Sequence, residues 1–214
     1  MLKFNPLIDL FFAGQSWQTR AERIARCGYS HIETWQGGNP AELAEMVQGG
    51  VRLVSIVMNF ADDAAVAPIN ADNRARFLER IDRFADHALG AGCHQGIVTA
   101  GQQIVGRGHA GCRAALVDAL AAAGALVQKR GFALNLEPLN TEVDHPGYFL
   151  SDPAEAVAIV KETGCANVKI LYDLYHMTIM TGNQTEFLRH NIGHIGHFHV
   201  AGVHGRHEPD KGET

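Results

Sequence analysis

Leu134-Asn135-Leu136-Glu137-Pro138-Leu139-Asn140 is a short apolar run that ends on a carboxylate and a proline. Leu171-Tyr172-Asp173-Leu174-Tyr175-His176 is a second apolar run that meets a carboxylate, and in His197-Phe198-His199-Val200 histidines alternate with apolar residues. Each run reads as a buried strand, and a longer helical stretch lies before it. The same alternation extends to both ends of the chain. Strands are predicted over 4–12, 31–35, 51–60, 96–100, 132–139, 168–176 and 195–203. Helices are predicted near 17–27, 40–48, 72–90, 110–130, 153–163 and 184–192. Ser16, Asn39, Asp72 and Ser151-Asp152-Pro153 signal helix starts, through capping oxygens or a proline in the first turn. Gly28, Gly49-Gly50, Gly92, Gly131 and Gly164 signal helix ends. Strand–helix alternation of this kind means parallel strands joined by crossover helices.

No GxGxxG follows the first run and no GxxxxGK[ST] occurs anywhere, so neither common nucleotide loop is present. The glycine-rich stretch 101–111 lacks the Lys-Ser/Thr ending and reads as a flexible loop. A doubly wound sheet and a (β/α) barrel remain. The 214 residues suit a single domain over 1–214 with a sizeable core. With 18 Lys and Arg against 23 Asp and Glu, the net charge is −5, which disfavours nucleic acid as a partner. No apolar run approaches a membrane span, and the N-terminus lacks the charged and apolar regions of a signal peptide. Cys27, Cys93, Cys112 and Cys165 form no CxxC pair and read as reduced, mostly buried thiols of a cytoplasmic protein. Of 12 histidines, seven fall from His176 to His207. That cluster asks for a chemical role.

In parallel α/β proteins the site lies at the C-terminal ends of the strands. Period-two alternation puts Asn135 with Glu137, Lys169 and Leu171 with Asp173, and His197 with His199. Glu137, Asp173 and His199 can therefore converge from three successive strand ends. Two carboxylates and an imidazole suit a divalent metal, Mn²⁺, Mg²⁺ or Co²⁺ first and Zn²⁺ next. Two inward acids without a cation would be costly. His176 follows just beyond the strand as an imidazole that either backs the metal ligands or contacts substrate. Arg206, beside His207, can hold a carboxylate, hydroxyl or phosphate. Lys169 would need a buried partner acid, and Glu33 is one candidate.

Four motifs carry a resemblance. They are Glu137-Pro138-Leu139-Asn140, Pro146-Gly147-Tyr148-Phe149-Leu150, Asp173-Leu174-Tyr175-His176, and the stretch from Gly205-Arg206-His207-Glu208 to Glu213. In this order and spacing they resemble the hydroxypyruvate isomerase family of xylose-isomerase-like TIM barrels. The resemblance implies a (β/α)₈ barrel. Seven predicted strands and six or seven helices would make it C-terminally incomplete, without strand eight. It implies Glu137 and Asp173 as metal ligands, and His199 where the family has Gln or His. Glu137 doubles as the acid/base, and His176, Arg206 and His207 contact substrate. The family's fourth ligand, a Glu ending strand eight, has no counterpart, so isomerase activity of the 214 residues is expected to be weak or absent. The implied reaction is a metal-dependent isomerisation of a small hydroxy-keto acid or ketose through an enediolate. The alternatives are a ketose 3-epimerase, a 2-oxo-tetronate isomerase, or a non-catalytic metal or sugar-acid binding protein. Relatives imply a homo-oligomer. An apurinic endonuclease is disfavoured, because Met58-Asn59-Phe60 and Thr99-Ala100-Gly101 end their strands without histidine.

Overall fold

A computed structural model describes residues 3–182 and 184–211. One parallel sheet holds β1 (His31–Thr34), β2 (Arg52–Val57), β3 (Gln95–Thr99), β4 (Ala133–Glu137), β5 (Val168–Asp173) and β6 (Ile195–His199), adjacent in chain order. The helices are α1 (Trp17–Arg26), α2 (Pro40–Gln48), α3 (Arg74–Gly90), α4 (His109–Gln128), α5 (Pro153–Glu162), α6 (Leu174–Thr181) and α7 (Gln184–Asn191). A doubly wound sheet reverses its strand order at a switch point, and this one does not. The sheet also curls. Glu33 on β1 reaches His197 and His199 on β6, at 2.7 and 2.9 Å, so its two ends face one another. The architecture is an open TIM-type barrel.

The outer face of the strands, with Ile32, Ile56, Val98, Leu134, Leu136, Ile170 and Tyr172, packs into the main core under the helices. The inner face is mostly polar, and Val57, Ile97 and Leu171 form a separate small plug there. Cys112, Leu116, Ala119, Leu120, Ala123 and Val127 form the buried stripe of α4, three or four residues apart. By length and composition α4 could cross a membrane, where no run in the sequence was expected to. Ser16, Asn39 and Asp152 cap α1, α2 and α5 as predicted. Asp72 does not cap α3, because Asn70 caps a 3-10 turn before it.

The stretch 4–12 is not a strand. Leu7 makes a single parallel bridge to Glu33, and Ile8–Leu10 is a 3-10 helix. The Asp9 carboxylate accepts from Thr34 Oγ1, Trp35 N and Gln36 Nε2 at 2.8–2.9 Å, which turns the chain away from the sheet edge. Among the described residues the sheet therefore has six strands where seven were expected. The predicted strand 168–176 ends at Asp173, whose carboxylate accepts from Tyr175 N and His176 N and starts α6. That helix is apolar on most sides and offers no amphipathic signal. The glycine-rich stretch 101–111 is tied down by a Gln102–Tyr148 bridge and runs into α4. Cys93 and Cys112 are buried, Cys165 is partly so, and Cys27 is exposed.

Candidate metal centre and cavity

Glu137, Asp173 and His199 are the last residues of β4, β5 and β6, and Asp173 and His199 are register partners. His199 Nδ1 lies 3.7 Å from Glu137 Oε1 and 4.0 Å from Asp173 Oδ2. One donor atom from each of the three falls within 4.8 Å of the others. Asp173 divides its work. Oδ1 caps α6, and Oδ2 faces the cluster. The backbone of Glu137 is fixed through Tyr148, whose hydroxyl donates to Glu137 O at 2.8 Å and accepts from Ala100 N at 2.7 Å. Two carboxylate oxygens and one imidazole nitrogen fit a divalent cation.

On the other side of His199, Nε2 donates to Glu33 Oε2 at 2.9 Å. Glu33 Oε1 accepts from His197 Nε2 at 2.7 Å and from Asn5 Nδ2 at 3.2 Å. Burial pushes the Glu33 carboxyl upward, but hydrogen bonds from His197 and His199 outweigh it and hold the group at about 2. Burial pulls the His199 imidazole downward, and the carboxylates of Glu137 and Glu33 more than reverse this.

His176 is fully buried. Its Nδ1 accepts from Asn140 N at 3.3 Å and Asn140 Nδ2 at 2.6 Å, and Arg206 Nη2 approaches Nε2 at 3.4 Å. That nitrogen faces Asp173 Oδ2 at 3.6 Å. Burial lowers the ring to about 4, which keeps it neutral at pH 7. Arg206 spans the rim, with Nη2 3.9 Å from Asp173 Oδ2 and Cζ 5.0 Å from the Tyr175 ring. These side chains border a cavity of about 320 Å³, near the small end for ligand pockets. Leu7, Trp35, Val57, Phe60, Ile97 and Leu139 supply its apolar wall.

The structure thus brings together Glu137, Asp173, His199, His176 and Arg206. His207 is exposed, bonds Gly202 N through its backbone oxygen, and is not on the cavity wall. Lys169 is not paired with Glu33, which the two histidines occupy, and among the described residues no acid lies within ion-pair reach of it. Sequence reasoning missed the Glu33–His199 contact and the roles of Asn140 and Tyr148. The signal for the first was present, since alternation turns Glu33, His197 and His199 to the interior. The Gly212-Glu213 end of the fourth motif lies outside the described residues.

The sequence pattern of the xylose isomerase-like TIM barrel family matches residues 21–214. A 2-oxo-tetronate isomerase of Cupriavidus necator is 40% identical over 139 residues, which cover 65% of this chain and 53% of that protein. The aligned part thus spans about half the length of that relative. The hydroxypyruvate isomerase of Escherichia coli K12 is 27% identical over 220 residues, covering 100% of this chain and 84% of the relative. Among solved structures, an AP endonuclease, family 2, from Brucella melitensis superposes with a TM-score of 0.91 at 28% identity. It covers 100% of this chain and 84% of its own.

Proposed function

Because this chain belongs to the xylose isomerase-like TIM barrel family, we propose that it is a metal-dependent isomerase of a small hydroxy-keto acid, of the hydroxypyruvate or 2-oxo-tetronate kind. One observation carries the reading: Glu137 Oε1, Asp173 Oδ2 and His199 Nδ1 gather beside a small cavity with a guanidinium at its rim. An anionic substrate would be repelled by two carboxylates alone. Arg206 offsets part of that charge and can grip the substrate carboxylate.

Glu137, Asp173 and His199 would hold the metal. A divalent ion there supplies positive charge against the oxyanion that develops as the proton beside a carbonyl leaves. Glu137 takes that proton and returns it to the neighbouring carbon. The reaction also moves a proton between the two adjacent oxygens. His176, held by Asn140 on its far nitrogen, faces Asp173 through Nε2 and is placed to hydrogen-bond those oxygens while the proton released by one is taken up by the other. The apolar wall keeps water from the exposed carbanion.

The name of the Brucella melitensis structure raises a nuclease reading. Among the described residues, Asn59 beyond β2 spends its side chain on Thr99, and Ala100 beyond β3 offers no ligand. A net charge of −5 also opposes DNA binding.

Calorimetric Mn²⁺ titration and an assay of hydroxypyruvate isomerisation, on wild type and Glu137→Gln, test the proposal. With three ligands in place and no fourth among the described residues, wild type should bind metal and turn over weakly, with chelator abolishing that activity. Glu137→Gln should lose at least about 10²-fold in turnover, the lower range for a positioned acid–base. Turnover indifferent to chelator, or unchanged in the variant, overturns it. Metal binding without any wild-type turnover would make the chain a binding protein instead.

A further inference from the structure

We infer that Glu33 is the positioning residue that aims His199 at the metal centre. This rests on the metal-site reading above. An imidazole can ligate through either nitrogen, and the partner of the other nitrogen decides which. Glu33 Oε2 is a carboxylate oxygen and can only accept, so at 2.9 Å it places a proton on His199 Nε2. The lone pair of the neutral ring is then on Nδ1, the nitrogen that faces Glu137 and Asp173.

The anchor is itself held. Glu33 N donates to Pro6 O at 3.0 Å, and Glu33 Oε1 takes hydrogen bonds from His197 Nε2 and Asn5 Nδ2. Such a clamp is needed at this place. β6 pairs only with β5 among the described residues, so its ladder steadies His199 from one side alone. Glu33 reaches across the open side of the barrel from β1 and supplies the other. The donor atoms of Glu33, His197 and His199 also lie close enough to one another to suit a cation. Three N–H donors already occupy the Glu33 oxygens, however, which gives them an anchoring role rather than a ligating one.

The test measures Mn²⁺ affinity and the His199 tautomer in wild type, Glu33→Ala and the conservative Glu33→Gln. Folding of each is checked by circular dichroism and amide dispersion. Loss of a carboxylate behind a ligating histidine typically weakens metal binding 10–100-fold. Glu33→Ala should show that loss. Glu33→Gln keeps one acceptor and should fall between it and wild type. In the metal-free wild type at alkaline pH, where the ring is neutral, ¹⁵N shifts should place the His199 proton on Nε2. In Glu33→Ala both tautomers should appear. The inference is overturned by unchanged affinity in a folded Glu33→Ala, by a wild-type proton on Nδ1, or by a second bound metal that disappears with Glu33. Failure of wild type to bind any metal would sink the metal-site reading instead, and the tautomer would still decide whether Glu33 orients the ring.

Discussion

Asp173 and His176 each have two polar atoms, and in each one atom serves the fold while the other faces the candidate metal centre. That division explains why both were legible in the sequence. They sit at a strand end, where alternation and the strand-to-helix junction point to them directly. Glu33 was only half legible. Its inward orientation was readable, but its partner lies across the barrel on β6, and no local pattern couples positions so far apart. Cys93 is a buried polar group with a purely structural environment. Its thiol donates to Gln95 O at 3.3 Å, and burial pushes it up to about 12. An unfolded thiol ionises near 8.5. Between those values the unfolded chain loses a proton that the native chain keeps, so stability falls as pH rises, by up to about 1.4 kcal/mol per pH unit. Urea unfolding of wild type and Cys93→Ala from pH 8 to 11 should show the stability difference between them shrinking above about pH 9. A difference that stays constant would mean that the native thiol ionises normally.

Paired glycines at the end of α2 look alike in the sequence and do different jobs. Gly50 has φ +84° and open space where a methyl would stand, so its role is conformational. Gly49 has an ordinary φ of −71°. A Cβ there would come 2.8 Å from Gln18 O and 2.9 Å from Glu22 N, besides meeting the Ala21 methyl. Its missing side chain lets α2 lie close on α1. Gly50→Ala should cost about 1–2 kcal/mol from left-handed strain. Gly49→Ala should cost about 1–3 kcal/mol from overpacking against backbone. Ala21→Gly should recover part of the second loss and none of the first, as read by chemical denaturation. A Gly49→Ala variant within about 0.5 kcal/mol of wild type, the range of neutral surface changes, would remove the close-approach argument. Helix ends were readable because capping chemistry is local. The first strand was misread because its fate depends on Asp9 reaching Thr34, Trp35 and Gln36. The apolar stretch 4–12 carries no trace of that contact.

Alternating strands and helices announced a parallel α/β architecture, and the unbroken strand order made it a barrel rather than a doubly wound sheet. What alternation could not announce is how the open side is held. Glu33 and the two histidines join β1 to β6, while the candidate metal ligands join β4, β5 and β6. Because His199 belongs to both groups, a bound cation would tie four of the six strands into one network. Anything that binds the native chain and not the unfolded one stabilises it by mass action. Metal at about 100 times its dissociation constant should add about 2.7 kcal/mol, which for a chain of this size raises Tm by roughly 5–11 °C. The rise should vanish in Glu137→Gln, which removes a ligand charge. It should persist in Cys27→Ser, whose thiol is exposed and belongs to neither group. Scanning calorimetry of the three proteins with Mn²⁺ and with chelator decides the matter. An equal rise in Glu137→Gln, or none in wild type, would show that the strand ends of β4, β5 and β6 do not share a cation.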